Sequence, residues 1–416
     1  MIVADFDIKT DVKVELFLPT TTTDYFILGL SELGGTDVLG GSGPFILGLS
    51  ILGGNDVLSG DTPTGYEWIN IECETASVVS SVGGSVDNNL YFQPEASSAS
   101  ITVQSWTYDP TNNPFVRAGS QIRVRLDDGI INETLFSGYL TTVNVSYLPD
   151  GPNLITFSAI DGYQRLVNSR IAVLDTSDPV EFPLGYATPL ELVSKVCDLT
   201  AFTLSPKSQA SLGKVKGELV EAATASQFMS DAIQIGLGIV WIDPADGSLV
   251  FRPRPSQSII PLDTYIIGNN HGEPYHLCMS DLEVSLDQSE VFNNLKVSLT
   301  SDPATFVITE NTDISDLYGV YSQDVNLNTT DIDELTLWAD RVFSSPTRHL
   351  VKQVSTPTID RLGDLTEAAL FQPGEIVGVK YNTGNISLDE YYTIVQVSHS
   401  IDVNNWITTL QLWKEV

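Results

Sequence analysis

The sequence predicts a mainly β (β+α) protein. Two similar β-barrels flank an α/β domain, and a glycine-rich β arm precedes them. Three observations predict this. Short apolar or alternating runs recur along most of the chain, separated by Gly, Pro, Asn and Asp. Two of these β regions echo one another at a nearly constant spacing. Helical periodicity is confined to three short windows.

The arm spans residues 1–64. "FILGLSELGGTDVLGG" (26–41) returns nineteen residues later as "FILGLSILGGNDVLSG" (45–60), with thirteen of sixteen positions identical. Each copy reads as an extended FILGLS followed by a glycine turn. Phe26, Leu28 and Leu30 then share one face, and Phe45, Leu47 and Leu49 share its counterpart. "GGNDVLSG" also resembles part of a calcium-binding nonapeptide. That fold stacks tandem GGxGxD turns that share ligands between neighbours. Here the period is 19, and Thr36 and Asn55 replace the glycine before Asp37 and Asp56. No calcium site is expected.

The first barrel is expected over 65–184. Its strands are "ITVQSW" (101–106), "QIRVRL" (121–126), "LTTVNVSY" (140–147) and "LITFSAI" (154–160). The α/β domain is expected over 185–280. In "ATPLELVSKVCDL", Thr188 caps, Pro189 suits the first helical position and Glu191 completes a capping box. Leu192, Val196 and Leu199 line one face. In "TASQFMSDAIQIGLG", Thr224 and Gln227 repeat the box and Gly236 stops the helix. "GIVWIDPADGSLVFRPR" reads as a hairpin with strands 239–242 and 248–252. The second barrel is expected over 281–416, with a helical insertion at 330–345. There Leu335, Trp338, Ala339 and Val342 form the apolar stripe and Pro346 marks the end.

The echo between the two β regions is specific. "TTVNVSYLPDGPNLITFS" (141–158) matches "TIVQVSHSIDVNNWITTL" (393–410) at eight of eighteen positions with an offset of 252. Upstream, "GSQIRVRLDDG" (119–129) resembles "GEIVGVKYNTG" (374–384) at an offset of 255. The ordered run of three strands favours duplication over a shared Val/Thr vocabulary. If so, Val143, Val145 and Ile155 occupy the places of Val395, Val397 and Ile407.

Composition excludes several functions. Twenty basic residues stand against 53 acidic ones, a net charge of −33. Such a chain has few cations to replace the counterions of nucleic-acid phosphates. Cys73, Cys197 and Cys278 are far apart and odd in number, so buried thiols are expected and no disulfide framework. The opening "MIVADFDIKTDVKVELFL" lacks the basic start of a signal peptide. Of the four histidines, His271 and His276 cluster with Cys278 in "HGEPYHLC", but a fourth zinc ligand is missing. His349 and His399 stand alone. There is no GxSxG, Walker loop or GxGxxG. No catalysis and no cofactor are expected.

"ITVQSWTYDPTNNPFVRAGSQIRVRLDDG" (101–129), "LFSGYL" (135–140) and "AIDGYQRL" (159–166) come in that order. They are followed by "TPLELVSKVCDLTAF" (188–202), "VFNNLKVSL" (291–299), "RVFSSPTRHLVKQVSTP" (341–357) and "YYTIVQVSHSIDVNNWITTLQLW" (391–413). Over residues 65–416 the series resembles the tail hub proteins of long-tailed bacteriophages, also called tail tip or minor tail proteins. "VFNNLKVSL" resembles the strand that opens that family's second barrel. The resemblance implies a virion protein, assembled in the host cytoplasm as a homotrimer at the distal tail end. Its barrels would form a pseudo-sixfold ring against the tail tube hexamer or the distal tail protein. The tape measure protein and tail fibre or tip proteins are its other implied partners, and DNA passes without being bound. Acidity suits a wall that DNA must not stick to; it also simply aids solubility. For Phe26, Leu28, Leu30, Phe45, Leu47 and Leu49 two readings stay open: an arm docking on a neighbouring tail protein, or a small sheet appended to the first barrel. The alternative function is a host-binding tail-tip adhesin or a contractile-injection or secretion spike component.

Overall fold

The computed structural model describes residues 11–19, 66–86, 91–127, 132–169, 171, 180–219, 224–253, 264–268, 277–278, 282–286, 292–312, 315–316, 319–343, 352–356, 369–383, 386–403 and 405–413. The strands of its first β region are β1 (Val12–Pro19), β2 (Tyr66–Ile71), β3 (Thr75–Ser81), β4 (Gly84–Val86), β5 (Tyr91–Gln93), β6 (Ser98–Gln104), β7 (Gln121–Asp127), β8 (Asn132–Ser146) and β9 (Leu154–Ile160). The middle of the chain carries β10 (Val180–Ala187), β11 (Val215–Leu219), β12 (Gly238–Ile242), β13 (Leu249–Pro253), β14 (Ile266–Gly268), β15 (Leu277–Cys278) and β16 (Glu283–Leu286). There follow β17 (Asn294–Leu299), β18 (Phe306–Glu310), β19 (Ser322–Leu327), β20 (Lys352–Thr356), β21 (Ile376–Thr383), β22 (Ile386–Asp402) and β23 (Asn405–Trp413). The helices are α1 (Tyr163–Asn168), α2 (Pro189–Thr200), α3 (Ala225–Gly236) and α4 (Ile332–Phe343).

The protein is mainly β, and one 14-stranded sheet dominates it. That sheet consists of two seven-strand units with the same spatial order. The first runs β2-β1-β7-β8-β9-β6-β3, and the second runs β15-β14-β21-β22-β23-β20-β16. The units join where β3 pairs with β22. Closed barrels were expected; these sheets do not close. The physical reason is at the junction. β3 gives its outer edge to the other unit and not to a strand of its own. Each unit still curls over its own apolar cluster. The first buries Val14, Leu16, Ile101, Ile122, Val124, Phe136, Ile155 and Phe157. The second buries Val377, Val379, Tyr392, Ile394, Val397, Leu410 and Leu412. β1 falls inside the span expected for the arm, yet it is an integral strand between β7 and β2. Its alternating Val12, Val14, Leu16 and Leu18 are buried in the first core.

The likeness of the units extends to single hydrogen bonds. Gly119 N–H donates to Leu140 O at 2.7 Å, and Gly374 N–H donates to Ile394 O at 2.7 Å. Leu140 N–H returns a bond to Ser120 O (2.9 Å), and Ile394 N–H returns one to Glu375 O (2.8 Å). Both glycines adopt the left-handed region, φ 92° and 85°. Directly after Leu140 and after Ile394 the strand register slips by a bulge. Tyr139 faces Gln121, and Thr393 faces Ile376. Hence β7 matches β21 at the offset of 255, as the upstream echo implied. Ile122 and Val124 match Val377 and Val379, and all four are buried.

The downstream echo was misaligned. The bulges place β8 on β22 at an offset of 254 and β9 on β23 at 253. Val143 therefore matches Val397, Val145 matches His399 and Ile155 matches Thr408. Val395 lies at the bulge itself. Ile155 and Thr408 are both buried, whereas Ile407 turns to the other face and is half-exposed. A one-residue slip reverses every side chain of a strand. The sequence identities at 252 were thus coincidences laid over a duplication that the strand order carries.

The twin glycines supply a test. A Cβ on Gly119 meets nothing within 4 Å, but one on Gly374 comes 2.6 Å from Ile239 Cδ1 and 3.1 Å from Trp241. Gly119→Ala should cost only backbone strain, about 1–2 kcal/mol. Gly374→Ala should cost that and a further ~1–3 kcal/mol of overpacking. Paired urea titrations check the difference.

A second body of structure lies beside the sheet. α1–α4, one face of the β12–β13 hairpin, β17 and β19 share one apolar cluster. β17 was expected to open the second barrel; it is the centre of a separate sheet, β18-β17-β19. α2 has its full capping box: Glu191 N–H donates to Thr188 Oγ1, and Thr188 N–H donates to Glu191. Its buried stripe is Pro189, Leu192, Val193, Val196 and Cys197. Leu199 was expected on it but is exposed, because the buried face is centred nearer Val193 and Val196. α3 lacks the expected capping box: Thr224 bonds Ser226 instead of a helix N–H. Gly236 ends α3 as expected, and a Cβ there would meet Ser211 Oγ at 2.7 Å and Pro189 at 3.1 Å. α4 buries Leu335, Trp338, Ala339 and Val342, as its periodicity predicted.

Candidate assembly surface

The junction of the two units is the feature that organises the molecule. β3 and β22 pair antiparallel from Thr75 opposite Asp402 to Ser81 opposite Gln396. Val82 N–H continues the ladder onto Val395 O at 2.9 Å, at the bulge. Alternation sends Val78 and Ile401 inward, where both are buried. Beside the bulge, Val82, Phe92, Val395 and Trp413 pack against Ile239, Trp241 and Val250 of the β12–β13 hairpin. Phe92 and Trp413 meet edge-to-face at 5.1 Å. The hairpin's opposite face, Val240, Ile242, Leu249 and Phe251, lies in the helical cluster. It is apolar on both sides because it is wedged between the two bodies.

A histidine is buried at this junction. His399 lies on β22 between Val78 of β3 and Thr408 of β23. Its Nδ1 is 3.0 Å from Thr408 Oγ1 and 3.2 Å from the Trp406 indole N–H, which donates. The Trp406 ring stands at 88° to the imidazole. Burial pushes the His399 pKa down to about 4, so the ring is neutral. Its support is present above about pH 6.5, the ordinary histidine value, and is lost as pH falls toward 4. We expect wild type to lose about 3 kcal/mol relative to His399→Gln between pH 7 and pH 4. Denaturant midpoints of the two proteins at both pH values check this; parallel curves would refute it.

The "AIDGYQRL" stretch is structural. Asp161 is buried and accepts N–H bonds from Ser97 and Tyr163, each at 2.9 Å. It ties the end of β9 to the chain before β6 and to the start of α1. Burial raises its pKa to about 6. The "SWTYDPTNNP" loop is likewise structural: Asp109 accepts from Thr111 N–H and Oγ1 within the loop and from Asn153 Nδ2 ahead of β9.

Several of the scarce cations are engaged inside the chain. Lys13 pairs with Asp127, and Arg123 and Arg125 both reach Glu15. Lys207 pairs with Asp243 and Lys214 with Glu334. Arg341 caps the end of α3 through Ile235 O at 3.1 Å. Cations held in this way are poor partners for phosphates.

The residues singled out in the arm, Phe26, Leu28, Leu30, Phe45, Leu47 and Leu49, lie outside the described residues, with Asp37 and Asp56. So do His271, His276 and His349. Among the described residues no group of three His, Cys, Asp or Glu is placed to hold a metal ion. Cys73 and Cys197 are buried and in no disulfide. Sequence reading missed His399, Trp406 and Thr408 as a unit. Their alternate spacing carried a signal, since 399 and 401 share one face of β22 and 408 and 406 stand opposite them on β23.

No protein-family model matches the chain, and no curated protein matches it. Solved structures do. A tail protein from Neisseria meningitidis aligns with a TM-score of 0.58 at 14% identity, over 84% of this chain and 94% of that one. The 43 kDa tail protein of prophage MuSo2 from Shewanella oneidensis aligns with a TM-score of 0.54 at 13% identity, over 83% and 95%. The chain therefore has the fold of phage tail proteins.

Proposed function

We propose that this chain is a structural subunit of a phage tail hub. Three copies form a ring at the distal end of the tail, and DNA passes through it. The observation that carries the reading is the pair of seven-strand units, alike in order and joined edge to edge. Three such chains present six similar positions, which suits a sixfold tail tube or distal tail protein. The shared fold supports a tail role. A net charge of −33 suits a wall past which DNA moves without counterion-release attraction. The role is structural and not enzymatic. The tape measure protein and tail fibre or tip proteins are the other partners of such a ring. Light scattering and negative-stain imaging of the purified chain should give threefold rings that capture tail tube or distal tail protein. A strictly monomeric chain that binds cell-wall glycan would overturn this in favour of an adhesin.

A further inference from the structure

The two units differ in their outer strands, antiparallel in the first (β1 with β2 and β7) and parallel in the second (β14 with β15 and β21), and they differ beside β8 and β22. Beyond its bulge, β22 offers residues 396–402 to β23 on one side and to β3 on the other. The equivalent stretch of β8 pairs with β9 on one side. Among the described residues no strand pairs with its other side. The counterpart of β3 is β16, which pairs with β20 and, among the described residues, with no other strand. Among the described residues one unit thus has a filled socket and the other an open one. In the filled junction the inserted strand, β3, comes from the unit that does not hold β22.

The open edge of β8 is chemically unlike a protected one. Residues 141–148, "TTVNVSYL", carry no charge in a chain that is 18% charged, and no proline. Exposed sheet edges are normally blunted by lysine, proline or bulges. Tyr147 is 64% exposed and Val284 on β16 is 45% exposed. Their counterparts in the filled junction, Ile401 and Val78, are 1% and 0% exposed. Val284 holds the place in its ladder that Val78 holds in the other, and Tyr147 directly follows β8.

We propose that β16 of one copy pairs antiparallel with β8 of the next copy, reproducing between chains the β3–β22 junction within each chain. The proposal deepens the ring reading above and rests on it. The equivalences set the register. Ala99 matches Val354, so Val78, which faces Ala99, matches Val284, which faces Val354. Val78 also faces His399, the counterpart of Val145. Val284 therefore faces Val145 of the neighbouring copy, with Glu283 opposite Ser146 and Ser285 opposite Asn144. The occupant is a second copy of this chain because the matching edge strand is the chain's own. The contact is head-to-tail, and such contacts close into rings when the rotation permits.

A cysteine pair tests the register. Opposed cross-strand Cβ atoms lie about 4.5–5.5 Å apart, near disulfide reach. Val145→Cys with Val284→Cys should oxidise to a reducible ladder of dimer and trimer. Ser146→Cys with Val284→Cys, one residue out of register, should not, and neither should the single variants. Val284→Glu, a change at an exposed position of the isolated chain, should weaken self-association about 100-fold by burying an unpaired charge. Rings that form without the selective cross-link and that survive Val284→Glu would overturn the edge assignment while leaving the ring reading intact. A wild-type chain that stays monomeric and yields no cross-link would overturn both.

Discussion

Trp338→Ala should destabilise the helical body by about 3–5 kcal/mol, the usual cost of deleting a buried large aromatic. Trp338 is 1% exposed and sits at the centre of the α4 stripe, between Leu335 and Val342. Its indole N–H donates to Gln234 O at 2.8 Å, near the end of α3. The same carbonyl also accepts a long 3.4 Å bond from the C-cap Leu237 N–H, so the indole supplies the shorter of the two. Removing the ring therefore opens a cavity and also strips a cap. Trp338→Phe separates the two effects. It keeps most of the volume and loses the bond, so it should cost about 1–3 kcal/mol. Urea unfolding followed by far-ultraviolet circular dichroism measures both. Equal losses for the two variants would mean that the hydrogen bond dominates and the packing argument is wrong.

Gly138→Ala should cost about 3 kcal/mol, a large figure for one methyl group. Gly138 lies where β8 stops pairing with β7 and begins pairing with β9. A Cβ there would stand 2.2 Å from Ile160 O and 2.8 Å from Ile160 C, both backbone atoms, and 2.6 Å from the Phe136 ring. Backbone cannot step aside as a flexible side chain can, so the strand crossing itself must open. The counterpart in the second unit is Tyr392, which is fully buried and donates its hydroxyl to Glu390. The first unit carries its buried aromatic two residues earlier, at Phe136. The two units therefore keep one backbone course with different fillings. Thermal unfolding of Gly138→Ala beside Gly119→Ala gives the comparison; a milder effect at 138 than at 119 would refute the close-approach argument.

Much of this protein was legible because it is local. The Thr188–Glu191 box, the α4 stripe and the β12–β13 hairpin each depend on residues within a few positions of one another. Their hydrogen bonds and apolar periods form wherever the segment is placed. The strand order of the duplication was also partly legible, since 119–129 and 374–384 share glycines and alternation. What tertiary structure alone decided is which strand lies beside which. Alternation in β3 says that one face is buried, but nothing in it names β22, more than three hundred residues away. The pairing of β16 with β20, and the capture of β17 by the helical body, are choices of the same kind. Register was decided there too. The bulges after Leu140 and Ile394 move each strand by a residue, and a residue is enough to put Thr408, and not Ile407, in the place of Ile155. His399 became a buried junction residue for that reason alone. Side-chain chemistry sets which faces seek burial, while the long-range ladder sets what buries them.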